Sequence, residues 1–132
     1  MNFRYRASLA TAVILLATAN SIAKRLPPKP VPPVESNGIR YAADGDGSDQ
    51  YVAATEISTG KELWRVRVFH THIKPWLEAD VQSVFITQLK LVEGSLFVRD
   101  EKERCYAVDV KDHRVHKAAC SGAFGERESS AH

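Results

Sequence analysis

Residues Tyr51 to Phe69 read YVAATEISTGKELWRVRVF, which is two strand patterns joined by a turn. Tyr51 to Ile57 is rich in β-branched and aromatic residues, Ser58 to Lys61 supplies turn chemistry, and Leu63 to Phe69 alternates strictly. Trp64, Val66 and Val68 share one side of that second strand, while Arg65 and Arg67 take the other, as in a sheet with one face on a core. The stretch therefore restricts the chain to antiparallel β structure. With 132 residues, 44% of them hydrophobic, there is room for one globular domain.

The N-terminus has a different character. Arg4 and Arg6 make a basic start, Ala7 to Ala19 is almost uniformly small or apolar, and Ser21-Ile22-Ala23 ends in small residues. Residues 1–23 are therefore expected to be a signal peptide cleaved after Ala23, giving a periplasmic or secreted protein. The alternative is an uncleaved N-terminal membrane anchor, but the apolar run is shorter than the roughly 20 residues of a comfortable span. Cleavage would remove two arginines and leave 16 basic residues against 16 acidic ones. That balance gives no electrostatic case for nucleic acid or an anionic membrane surface. Residues 24–36 contain five of the six prolines and read as a stiff linker.

Structure is expected to begin at Asn37-Gly38 and to form an all-β domain over 37–120, with one short helical turn near 75–80 that Pro75 would start. From Val81 to Val92 the apolar residues change sides, Val84 and Ile86 against Leu89 and Leu91, which predicts a bulge or a strand covered on both faces. Glu93-Gly94 is a two-residue hairpin turn. Cys105 and Cys120 would form one disulfide in an oxidising compartment. Residues 121–132 read as a disordered tail.

The chain also repeats itself. Ala54-Thr55-Glu56-Ile57 lies over Ala107-Val108-Asp109-Val110, and Asn37-Gly38-Ile39-Arg40-Tyr41 over Glu93-Gly94-Ser95-Leu96-Phe97. Two units result, 37–70 and 84–117, each a turn, strand, loop, strand, polar turn and strand. Ala54 to Trp64, with its acidic residue ahead of Thr-Gly-Lys and its Trp-ended strand, resembles the blade signature of quinoprotein-like β-propellers. Leu96-Phe97-Val98 with Tyr106 to Val110 resembles a second blade that lacks the Gly and Trp. The resemblance implies two blade-like antiparallel sheets, packed as a small sandwich or open barrel, with Ala54, Gly60 and Trp64 in structural positions. It does not extend to the quinone cofactor, because a ring needs at least about four blades.

Candidate chemistry is sparse. Asp44, Asp46 and Ser48 fall at alternate positions, the spacing at which oxygen ligands open a calcium loop. Asp49 stands where the bending glycine belongs, so a solvated loop is the competing reading. His70 and His72 would continue the Trp64 face and suit a transition metal if a third ligand approached. There is no nucleophile elbow, phosphate loop or HExxH helix to support catalysis. No cofactor is expected, with calcium or a transition metal as the exceptions just named. Trp76 and Leu77 would either cap the core between the units or anchor a partner, the core being the default for a small domain. These readings favour a non-catalytic module that contacts another envelope or secreted protein, or itself. The alternative is a secreted metal or small-ligand binder using the Asp44–Asp49 loop or His70 and His72.

Overall fold

The computed structural model describes residues 28–124. The expected signal peptide, the first four linker residues and the end of the tail lie outside them. The described chain forms strands β1 (Val34–Ser36), β2 (Ile39–Gly45), β3 (Asp49–Glu56), β4 (Glu62–His70), β5 (Ile86–Val92), β6 (Ser95–Asp100), β7 (Cys105–Asp109) and β8 (Val115–Ala118). Two short helices, α1 (Ala79–Gln82) and α2 (Ser121–Phe124), complete it. The strands make two antiparallel four-stranded sheets in the orders β1-β2-β3-β4 and β5-β6-β7-β8, and the described residues close no barrel.

The two meanders share their turns as well as their order. Asn37 and Gly38 have φ of 50° and 75°, and Glu93 and Gly94 have 48° and 79°. Positive φ at both central residues is the tight-hairpin geometry that matches strand twist. In the first unit Glu56 N donates to the Lys61 carbonyl and Gly60 N to the Glu56 carbonyl, each at 2.8 Å. In the second, Asp109 N donates to Arg114 at 2.9 Å and His113 N to Asp109 at 2.8 Å. Ile57 N reaches the Gly38 carbonyl as Val110 N reaches that of Gly94. His113 thus holds the left-handed place of Gly60, with φ of 63° against 72°.

Structure begins earlier than the Asn37-Gly38 turn and continues past Cys120. Proline has no N–H to give a ladder, so after Pro32 and Pro33 the first strand can start at Val34. It pairs Val34 with Tyr41 and sets Glu35 against Arg40 in an ion pair of 2.6 Å. Beyond Cys120, α2 forms where a disordered tail was expected. The Cys105–Cys120 disulfide brings it against β5, and Ala123 is buried.

The sheets pack face to face. Tyr41, Val52, Ala54 and Val68 from the first meet Ile86, Leu89, Leu96, Val98, Tyr106 and Val108 from the second in one core. Trp64 stacks on His113 across the sheets, with centroids 4.3 Å apart, and lies tilted against Tyr41 at 6.0 Å. Two bulges tune this contact. In β5 the ladder skips Thr87 between Ile86 and Gln88, so the side change between Ile86 and Leu89 is a bulge, one of the two predicted forms. In β4 it skips Val68, with Tyr51 opposite Arg67 and Gln50 opposite Phe69. Both Val68 and Phe69 therefore face inward, and Phe69 stacks on Tyr106 with centroids 5.2 Å apart.

One buried polar side chain ties the sheets together. Gln50, only 3% exposed, accepts the Ile86 N–H on Oε1 at 3.1 Å and donates from Nε2 to the Asp46 carbonyl. Beside it Gly47 approaches Ser83 so closely that a β-carbon there would meet Ser83 Oγ at 2.0 Å. Val84 N donates to the Gly47 carbonyl at 3.2 Å.

Candidate functional site

The Asp44–Asp49 loop spends its oxygens on itself. Asp46 Oδ1 accepts the Ser48 N–H and hydroxyl, both at 2.8 Å, and the Asp49 N–H at 2.9 Å. The Asp49 amide, then the Ser48 hydroxyl and amide, hold the Asp46 carboxyl down at about 2 against an ordinary value of 3.8. Asp44 faces the Arg65 guanidinium, which lowers its carboxyl too, helped by the Gly45 amide. Asp44, Asp46 and Ser48 are therefore occupied as turn and ion-pair groups, and the loop serves as the joint on which Gln50 and Gly47 meet the second sheet.

His70 does not continue the Trp64 face. The Val68 bulge reverses the alternation and turns His70 to the outer side, where its Nδ1 lies 2.8 Å from Asp49 Oδ1. Arg67 approaches the same oxygen at 3.3 Å. His72 instead lines an open cleft of about 490 Å³ together with Val81, Gln82, Ser83, Glu101 and Lys102. Among the described residues no group of three His, Cys, Asp or Glu side chains is placed to hold a metal.

Gly60 has φ of 72° in the turn after β3, and Trp64 on β4 packs against the core and stacks on His113. Cys105 is 4% exposed and bonded to Cys120, with α-carbons 5.3 Å apart. Cys105 and Ala107 alternate with the core residues Tyr106 and Val108, so the buried pair on the outer face of β7 shares a side with the disulfide.

Trp76 and Leu77 do not cap the core. They are 74% and 51% exposed, and Val81, expected in a strand, is 63% exposed on α1. Burial of large apolar groups is the ordinary outcome in a small domain, and the core here is already filled by residues of the two sheets. The segment that carries the three is well tied. Gln82 accepts the Lys74 N–H on Oε1 at 2.8 Å and donates from Nε2 to the carbonyls of Lys74 and Glu78 at 3.1 and 3.2 Å. Leu77 N donates to Lys74, and Ser83 closes on the Ala79 carbonyl with both its amide and its hydroxyl. Lys74 Nζ lies 6.0 Å from the centre of the Trp76 ring. The result is a closed loop with an apolar tip, standing at the edge of the cleft to which Val81 and Gln82 contribute.

Gln82 went unread in the sequence because a glutamine that holds backbone groups has the same signature as one in water. The nearest signal was the cluster Trp76, Leu77 and Val81 beside Pro75, too many large apolar residues for a connection.

The fold and this loop define the class, an all-β protein of two packed antiparallel meanders with an apolar loop between them. No family model matches the chain, and no curated protein matches it either.

Proposed function

We propose that this protein is an exported, non-catalytic interaction module whose contact surface is the tip of the 74–82 loop. The observation that carries the reading is the exposure of Trp76, Leu77 and Val81 on a loop fixed by Gln82. Exposed apolar surface costs solubility, and large apolar side chains left exposed near one another in the chain are a recurrent mark of a contact site. A tip fixed before contact loses less conformational entropy on binding. Export is supported by the basic and apolar N-terminal pattern and by the disulfide, which belongs to oxidising compartments. Among the described residues no helix is long and apolar enough to cross a membrane. The matched topology and turn bonding of the two meanders support reading them as degenerate blade-like repeats, and no cofactor enters the reading.

The test replaces Trp76 and Leu77 together by alanine. Both are exposed, so stability should change by no more than about 0.5 kcal/mol per site. Proteins recovered with the tagged wild-type chain from the producing cells should be lost with the double variant. Recovery of the same partners by both would refute the reading.

A further inference from the structure

We infer that the cleft beside the Cys105–Cys120 disulfide is a site of reversible S-thiolation, at which a small anionic thiol adds to Cys120 and releases α2. The two sulfurs are unequally open. Cys105 is 4% exposed and sits in a strand paired on both sides, with Arg99 of β6 and Ala118 of β8 as its partners. Cys120 lies beyond the end of β8, on no strand, and is part-exposed. Thiol exchange requires a thiolate to reach one of the sulfurs, and access decides which. The room for it is present, because an open cleft of about 350 Å³ is lined by both cysteines together with Glu103, Arg104 and Lys117. Its charges favour an anion. Lys117 is exposed and has no ion-pair partner among the described residues. Arg104 keeps half of its side chain exposed while its Nε holds Asp100 Oδ2 at 2.8 Å. Glu103, the acid of the lining, is itself paired with Arg99 at 3.2 Å.

In the exchange step the incoming thiolate attacks Cys120 Sγ. A bond forms between those two sulfurs as the bond to Cys105 Sγ breaks, and Cys105 leaves as a thiolate that takes a proton from water. No net oxidant or reductant is consumed, and attack of Cys105 on the adduct reverses the step. What changes is the hold on α2. That helix runs from the disulfide on β7 to β5, an edge strand of the second sheet, and Ala123 within it is 2% exposed. It has four residues, far below the roughly 12 at which a helix becomes even marginally stable alone in water. Opening the cross-link therefore frees the chain beyond β8.

The test treats the purified chain with mercaptoethanesulfonate, an anion, or with cysteamine, a cation of similar size. Samples are quenched in acid and mapped by peptide mass spectrometry, and rates are compared per thiolate. The adduct should sit on Cys120 in preference to Cys105 by about tenfold or more. At low salt the anion should react about threefold faster or more, a gap that Lys117→Glu or high salt closes. In the adduct the Ala123 amide should exchange about tenfold faster or more, while the amides of β6 keep their protection. The reaction rate should stay flat in urea until the unfolding transition begins. An adduct chiefly on Cys105, equal rates for the two thiols, or unchanged protection at Ala123 overturns the inference. A rate that tracks the unfolded fraction from the first addition of urea also overturns it, since the disulfide would then be reached only in the unfolded chain.

Discussion

Replacing Gln50 by methionine keeps the length of the side chain and removes its polar ends. The Ile86 N–H, now bonded to Gln50 Oε1 at 3.1 Å, would lose its acceptor in a buried position. An orphaned buried amide costs about 1–3 kcal/mol. The Asp46 carbonyl, which Gln50 Nε2 now satisfies, lies in an exposed loop where water replaces the bond at a cost of about 0.5–1 kcal/mol. The extra apolar surface of methionine returns about 1 kcal/mol. The net expectation is a loss of about 2 kcal/mol, or about 8–16 °C in Tm for a domain of this size. Urea and thermal unfolding followed by far-ultraviolet circular dichroism measure it, with Gln88→Met on the exposed side of β5 as the control, expected within about 0.5 kcal/mol of wild type. Hydrogen exchange at the Ile86 amide gives a local reading, since its protection should fall with the global stability or further. A Gln50→Met protein as stable as the control, or one whose Ile86 amide keeps its full protection, would refute the idea that this side chain joins the sheets.

Three further outcomes follow from the same geometry. The Asp46 carboxyl titrates at about 2 in the folded chain against 3.8 ordinarily, so its contribution to stability is complete above pH 3.8 and disappears as the pH falls toward 2. Urea midpoints measured across that window should decline less steeply for Asp46→Asn than for wild type. Replacing Cys105 and Cys120 by serine opens a loop of 15-residue separation and should cost about 3 kcal/mol in urea unfolding, with the Ala123 amide exchanging faster as α2 comes free. Gly47→Ala drives a methyl group into Ser83 and should cost about 1–3 kcal/mol, while Ser83→Gly in the same background should restore part of that in a double-mutant cycle.

Much of the sheet architecture was legible because its signals are local. Alternation from Leu63 to Val68, the Glu93-Gly94 turn and the side change before Leu89 each depend on neighbours within a few residues, and each appears in the structure. The Val68 bulge was not legible. Nothing in Val66-Arg67-Val68-Phe69 distinguishes a strand that alternates to its end from one that sets two apolar residues inward, and the choice is made by Tyr106 on the other sheet. That one residue of slip moved His70 away from the face on which a metal pair with His72 had been read. In the Asp44–Asp49 loop the oxygens take partners within the chain for a related reason. Its spacing resembles that of a cation loop, but short-range capping by Asp46 and a charge 21 residues away at Arg65 use the same oxygens. Exposure of Trp76 was hidden because hydrophobicity in sequence records a preference, whereas burial also requires a vacancy in the core.

The succession of neighbouring strands has a kinetic consequence. Every ladder joins strands that follow one another along the chain, so each meander is assembled from short loop closures whose entropic cost is small. The contacts of long sequence separation are concentrated between the meanders, at Gln50 with Ile86, Trp64 with His113 and Phe69 with Tyr106. Folding is then expected to resemble the meeting of two hairpin-built halves, in which the search over distant pairings is reduced to a single docking event. Substitutions at that seam should accelerate unfolding far more than they slow refolding.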